Sequence, residues 1–392
     1  MPHRSSRIPE DLSPNPLARA RQALGRIPFD LTNSNPTACG ITYPDDLFAA
    51  LADPRALDYQ PDPRGPRKAR IAVAEAIRRW HQAVDPDRLV LTASTSEAYS
   101  LLFRLLADPG DAVLVPEPSY PLFDHLAHLD GIRTIAYALD ADTGWRPCLA
   151  TIREAPDRVR ALIVVHPNNP TGSYIEPDDA HELAEICRQR EWALIADEVF
   201  LPYPLDGGAG RDFSFSVIDR CLTFTLGGLS KSVGLPQLKL AWMSANGPEA
   251  EVAHALEGLD FAADAYLSVS TPIALAAGEV LRVGAAVREA IRDRCLQNLA
   301  TMRRLVEPMP AVTIGPVGGG WSAAIRAPAL CNDEELCLRL LEREGVALHP
   351  GAYFGFSTGG YLVASLLPPA EIIAEGISRT LRLIDDLAEI GR

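Results

Sequence analysis

The chain lacks the features that would place it in several large protein classes. No apolar run approaches the roughly 20 residues of a membrane-spanning helix, and Met1-Pro-His-Arg-Ser-Ser has no apolar core of the kind a secretory signal carries. A cytoplasmic protein without membrane contact is expected. Basic residues are in deficit: 37 Lys and Arg against 51 Asp and Glu leave a net charge of −14, which argues against binding nucleic acid through a basic face. Tight cysteine pairs are missing as well. Cys39, Cys148, Cys187, Cys221, Cys295, Cys331 and Cys337 are scattered with no Cys-x-x-Cys among them, as expected of reduced core residues. His125 and His128 could share a helix face, but no third ligand stands near them in sequence, so no metal site is expected.

What is present fits a large soluble protein. At 392 residues, 47% hydrophobic and 22% charged, the chain can bury one big α/β core with a smaller satellite. Residues 1–45, rich in Pro and Asn, read as an extended arm that must lie on the small domain or on a partner subunit. Residues 46–275 read as the large domain and 276–392 as the small one. Helices are expected over 67–82, 122–129, 178–190, 248–260, 287–305, 333–344 and 369–390, with short apolar strands over 89–92, 112–115, 134–137, 161–165, 193–196 and 222–225 between the earlier ones. Strands over 312–314, 321–326, 346–349 and 361–366 belong to the small domain. Alternation of this kind specifies an α/β fold with a mostly parallel central sheet covered by helices on both faces, whose ligands sit at the carboxyl ends of the strands.

The polar residues at those strand ends carry the chemistry. Strand 89–92 runs into Ala93-Ser94-Thr95-Ser96 and a helix start, where hydroxyls, free N–H groups and the helix dipole suit an anion such as phosphate; an ordinary N-cap accounts equally for such a turn. Strand 161–165 ends in His166-Pro-Asn-Asn169, strand 193–196 in Asp197-Glu-Val-Phe200, and strand 222–225 leads to Gly228-Leu-Ser230-Lys231. An amide, a carboxylate and an amine thus arrive at one rim. A carboxylate following Ala193-Leu-Ile-Ala is costly to bury unpaired and calls for a cationic partner from outside the chain. Lys231, among small residues, reads as a Schiff-base lysine, because covalent use needs an amine that can lose its proton; a surface loop lysine is the alternative from that segment alone.

Asn169-Pro-Thr-Gly172, Ala196-Asp-Glu-Val199 and Ser230-Lys231, in this order and at these separations, resemble the class I/II aminotransferases of the aspartate aminotransferase fold, which use pyridoxal 5′-phosphate. Asp108-Pro-Gly-Asp111, Val115-Pro-Glu-Pro-Ser-Tyr120-Pro and the Tyr59 loop extend the match from about residue 30 to the C-terminus. The resemblance implies that Lys231 carries the cofactor as a Schiff base and shuttles the reacting proton. It implies that Asp197 pairs with the pyridinium nitrogen, Asn169 donates to the ring oxygen, and Tyr120 stacks on the ring. Ser94, Thr95 and Ser96 would hold the phosphate, together with a Tyr59 supplied by the neighbouring subunit of a two-fold homodimer, and Ser230 is a further cofactor-binding residue. Asn35, Tyr266 and Arg326 are candidates to read the substrate, although Tyr266 could equally pack in a subunit interface.

Four departures from the family pattern stand out. Lys239 replaces an arginine and cannot form a bidentate fork with phosphate. Gly228 replaces a serine, and Phe200 a tyrosine that bonds the ring oxygen, so the Schiff base is expected to hold its proton to higher pH. Val363, in Gly360-Tyr-Leu-Val-Ala-Ser365, falls where the family carries the arginine for the substrate's α-carboxylate, and no arginine lies between Arg343 and Arg379. Either another group, with Arg326 or Arg7 as candidates, takes that carboxylate, or the amine donor has none bound conventionally. Transamination between an amino acid or amine and a keto acid or other carbonyl is the expected reaction. Elimination, cyclisation or decarboxylation on the same cofactor is the alternative. A non-catalytic ligand-binding domain is a third reading, against which the intact lysine stands. Pro316-Val-Gly-Gly-Gly320 lacks the strand–loop–helix context of a nucleotide loop and is expected to be a turn or hinge.

Overall fold

The computed structural model describes residues 5–80, 83–206, 211–267 and 269–390. The N-terminal segment is not simply extended, because a helix forms over Pro16–Leu24. Asn15 Oδ1 accepts the Ala18 N–H at 2.8 Å and Pro16 occupies the first turn, where its missing N–H costs nothing. Phe29–Asp30 (β1) then pairs in parallel with Val346–Ala347. Leu31, fully buried, accepts the Ser365 N–H on its carbonyl at 2.7 Å, tying the segment to the C-terminal third of the chain.

Eight strands follow: β2 (Leu89–Thr92), β3 (Ala112–Glu117), β4 (Arg133–Asp140), β5 (Arg146–Pro147), β6 (Val159–Val165), β7 (Ala193–Asp197), β8 (Thr223–Gly228) and β9 (Ala241–Asn246). They form one sheet in the order β2-β9-β8-β7-β6-β3-β4-β5. From β8 through β7, β6 and β3 to β4 every pairing is parallel, whereas β9 runs antiparallel between β8 and β2 and β5 is an antiparallel edge. Because β9 reverses direction twice over, β2 points the same way as β8. The carboxyl ends of β2, β3, β6, β7 and β8 therefore share one rim.

The central strands are apolar on both faces: in β6 every residue but Arg160 is buried, and in β7 only Asp197 at the carboxyl end retains some surface. Each Leu, Ile or Val buried this way contributes roughly 1.5–3 kcal/mol. The helix after β2, Thr95–Leu106, begins with a capping box: Ser94 Oγ accepts the Glu97 N–H at 3.1 Å and Glu97 Oε2 accepts the Ala93 N–H at 2.5 Å. The helix expected over 67–82 ends at Ile77 and tightens into a 3₁₀ turn over Arg78–Trp80; positions 81 and 82 lie outside the described residues. A helix not foreseen, Thr271–Val283, buries Ile273, Ala274, Ala277 and Val280 against Arg67–Ile77. It straddles the boundary expected at 275/276 between the two domains.

The C-terminal third holds β10 (Thr313–Ile314), β11 (Ser322–Arg326), β12 (Val346–Ala347), β13 (His349–Pro350) and β14 (Tyr361–Ser365). An antiparallel sheet runs β10-β11-β14-β13, with helices Ala285–Val306 and Ala370–Ile390 packed against each other. The single strand expected over 346–349 is divided. Val346–Ala347 pairs with β1 and His349–Pro350 with β14, the fully buried Leu348 turning the chain between them. The Pro316–Gly320 turn docks on the rim loop of the large sheet: the Gly318 and Gly319 N–H groups both donate to Gly172 O at 3.0 Å. Gly172 sits at φ +73°, and a Cβ there would lie 2.7 Å from Gly319 O, so the approach depends on glycine at that position.

Candidate active site

A cavity of about 390 Å³ opens at the shared rim and is closed from the other side by β11, β13 and β14. Asp197, the last residue of β7, enters it between Val165 and Leu226 of the neighbouring strands. Its Oδ2 accepts the Tyr99 hydroxyl at 3.0 Å and its Oδ1 the Val199 N–H at 3.1 Å. Burial outweighs those bonds and pushes the carboxyl up to about 6. A carboxylate this poorly compensated favours a cation beside it.

Lys231 comes from the short helix Leu229–Ser232 that follows β8. The turn is fixed from several directions: Leu229 N–H donates to Leu240 O at 2.9 Å, Ser232 Oγ to Gly228 O at 2.9 Å, and Tyr203 Oη to Lys231 O at 2.5 Å. Lys231 Nζ lies 4.8 Å from the ring centre of Trp321 and 5.3 Å from that of Phe200. Burial lowers its pKa to about 8, the negative Asp197 opposing the shift. At pH 7 about a tenth of such an amine is neutral, against less than a thousandth for a solvated lysine. Amine and carboxylate are thus both displaced toward neutrality.

Ser94, Thr95 and Ser96 line the cavity at the start of the helix Thr95–Leu106, with Gly228 and Ser230 opposite. The N-cap and anion-cradle readings of Ser94 are compatible, since its oxygen accepts the Glu97 N–H and its hydroxyl hydrogen remains to be donated. Asn169 lines the same space, whereas its neighbour Asn168 is occupied with Pro118 O and Thr171 Oγ1. Tyr120, half exposed, forms another wall and is pushed above its usual pKa, by burial first and then by Asp197. Phe200 stands edge-on to Trp321, their ring centres 5.4 Å apart.

Other sequence candidates stay outside this cavity. Lys239 is exposed, in a left-handed turn at φ +51°. Tyr59 is 65% exposed. Tyr266 is exposed and receives a hydrogen bond from Arg104, whose guanidinium also lies over its ring. Asn35 caps the turn Pro36–Ala38 and lines an open vestibule that reaches Lys231. In that vestibule Arg21 is bound to Asp30 at 2.8 Å and to Thr32 at 3.0 Å. Arg7 lies near Gly131, at the end of the helix Leu122–Asp130 and away from the cavity. Arg326 is exposed beside a separate small cavity.

Among the lining residues that the sequence reading missed are Tyr99, Trp321 and His349. Tyr99 carried a signal, because a tyrosine among buried helix positions needs a partner for its hydroxyl. Trp321 and His349 carried none, as they reach the rim only when the second sheet folds over the first.

Fold and site together define a transferase of amine chemistry, and comparison with known proteins narrows the class. The family model for aminotransferase class I and II matches residues 42–371. A glutamate-pyruvate aminotransferase from Haemophilus influenzae is 27% identical over 91% of this chain and 90% of its own length. An arginine–pyruvate transaminase from Pseudomonas aeruginosa is 30% identical over 81% and 80%. Among solved structures, an Escherichia coli aminotransferase superposes with a TM-score of 0.86 at 25% identity, covering 98% of each chain. Alanine aminotransferase from Pyrococcus furiosus gives 0.85 at 26%, covering 94% and 95%. The chain belongs to the class I and II aminotransferase family and is an aminotransferase.

Proposed function

We propose that the protein transfers an amino group between an amine or amino-acid donor and a carbonyl acceptor with pyridoxal 5′-phosphate held at Lys231. The observation that carries this reading is the convergence, in one cavity, of an amine lowered to about 8, a carboxylate raised to about 6 and the start of a twelve-residue helix edged with hydroxyls. Those residues fit the cofactor's three polar ends. When bound, the cofactor supplies an aldehyde that takes up the substrate nitrogen and a ring that withdraws electrons from the adjacent carbon. Lys231 Nζ would be the base that takes the proton from the substrate's reacting carbon and gives it back.

Asp197 holds its charge against the cationic ring nitrogen and is oriented by Tyr99 Oη and the Val199 N–H. Asn169 would donate to the ring oxygen and Tyr120 would cover a ring face. Phe200, which lines the cavity edge-on to Trp321, would offer that oxygen no hydrogen bond. Ser94, Thr95, Ser96 and Ser230, with the unpaired N–H groups of the helix start, bind the phosphate. Lys239 neutralises it from outside at most as a point charge. Exposed Tyr59 serves the site of a second copy in a two-fold homodimer, and the division into an arm to residue 45, a large domain to 275 and a small domain to 392 belongs to the same reading.

Borohydride reduction of the coloured holoenzyme followed by peptide mapping tests it. The cofactor mass is expected on the peptide containing Lys231, and the Lys231→Ala protein should neither colour nor take the label. Labelling elsewhere, or none, would count against the assignment.

A further inference from the structure

The wall of the cavity opposite the large sheet is built from β11, β13 and β14, which bring Ser322, His349, Val363 and Ser365 to it and no cationic side chain of the arginine or lysine kind. Residues on one face of a strand recur every second position, about 7 Å apart. Tyr361, Val363 and Ser365 share one face of β14, and their partners on β11 are Arg326, Ala324 and Ser322. Ser322, Val363 and Ser365 line the large cavity. Arg326 lies one step further out, beside the small separate cavity of about 120 Å³ that it shares with Trp145 and Tyr361.

Between the two lies a packed cluster of Ala324, Phe356, Tyr361 and Val363, with Trp145 and Phe354 against it. Phe356 stacks on Tyr361 at 4.3 Å, and Trp145 stands edge-on to both, at 5.4 and 5.9 Å. Val363 is 2% exposed. A carboxylate aimed at this wall would leave water for a surface that returns no charge, only the neutral hydrogen bonds of Ser322, Ser365 and His349.

Among the described residues of this one chain, the other cations near the cavity do not replace a fork. Lys231 is committed to the cofactor, Arg21 at the vestibule is held by Asp30 and Thr32, and burial pushes the His349 imidazole down toward its neutral form. His349, paired with Val363 in the sheet, and Ser365 offer this region uncharged hydrogen bonding.

We infer that the substrates are primary amines and aldehydes or ketones bearing an apolar or aromatic substituent, with no carboxylate on the reacting carbon. This rests on the aminotransferase reading and adds the substrate class. The donor carbon loses two electrons and becomes a carbonyl, water supplying the oxygen as the nitrogen stays on the enzyme. The acceptor carbonyl then takes the same nitrogen and two electrons and releases water. Val363 and the cluster behind it select against α-amino acids by leaving their carboxylate unpaired.

The test uses the full-length holoenzyme and matched donors that differ only by the carboxylate: 2-phenylethylamine against phenylalanine, and ethylamine against alanine, with benzaldehyde or pyruvate as acceptor. Loss of the cofactor's visible band and product formation are both read. The amine of each pair is expected to react with a kcat/KM about a hundredfold or more above its amino acid. Equal rates, preference for the amino acid, or no response to any amine would overturn the inference. A protein that never acquires the cofactor colour would overturn the underlying reading instead. Val363→Arg supplies the second measurement: where it retains the colour, the preference should shift toward the amino acid by at least about tenfold. A coloured V363R enzyme with an unchanged ratio also counts against the inference. Should V363R fail to fold, the native donor series decides.

Discussion

Tyr99→Phe isolates the device that keeps Asp197 ionised. The hydroxyl makes one of two hydrogen bonds to that carboxylate, at 3.0 Å, in a site where burial already lifts the acid to about 6. A hydrogen bond to a charged group is worth about 1.5–3 kcal/mol, and one pKa unit corresponds to about 1.4 kcal/mol. Removing it should move the carboxyl of the cofactor-free protein from about 6 to about 7–8. The shift is upward because the lost bond favoured the charged form. Cofactor binding that requires the carboxylate then falls off at a pH one to two units higher than in the native protein, while affinities above pH 9 converge. Titrating the cofactor into the native and Y99F proteins between pH 5 and 9.5 reads both midpoints. An unchanged midpoint, or a uniform loss of affinity at every pH, would refute the claim that Tyr99 acts through Asp197.

Three further outcomes follow from the same geometry. The double variant Lys231→Met/Asp197→Asn should not bind cofactor, yet its unliganded fold should match or exceed the native by about 0–4 kcal/mol in urea unfolding at pH 7, because a buried, poorly compensated pair is removed as a unit. Asp197, raised above its unfolded value, stabilises the cofactor-free fold only as pH falls from about 6 toward 4, and Lys231, lowered to about 8, only as pH rises beyond 8. Reductive alkylation of Lys231 in cofactor-free protein by a small aldehyde should therefore climb with pH and level off above about 8 rather than above 10, measured by mass spectrometry of its peptide. Gly172→Ala, which forces a Cβ to 2.7 Å from Gly319 O at a positive φ, should lower stability by about 2 kcal/mol or more. It should also reduce kcat, since the contact it breaks joins the Asn169 loop to the turn that leads into Trp321 and β11; a fully active G172A enzyme would show that contact to be incidental.

Much of the site was legible because its parts are punctuated locally. Asp197 ends a short apolar strand and Asn169 and Lys231 follow two others within four residues, where a polar residue is conspicuous and where a parallel sheet collects its ligands. Ser94 to Ser96 announce a helix start by composition, and the capping box forms where Glu97 stands three residues beyond Ser94. Departures were legible in the same way, as Val363, Phe200 and Gly228 stand within otherwise intact motifs.

The chain order of residues therefore determined the alternation of strands and helices, the rim to which the amine and carboxylate are delivered, and the family to which they belong. Pairing across long separations decided the rest. Only folding could reverse β9 so that β2 joins the parallel rim, divide 346–350 between two sheets, and bring Tyr99 under Asp197. Only folding could bring Trp321 and His349, about 90 or more residues away in the chain, into one cavity with Lys231. Local propensity acts over a few neighbours, whereas the protonation of a buried acid and the character of a cavity wall depend on whichever distant side chains exclude the water.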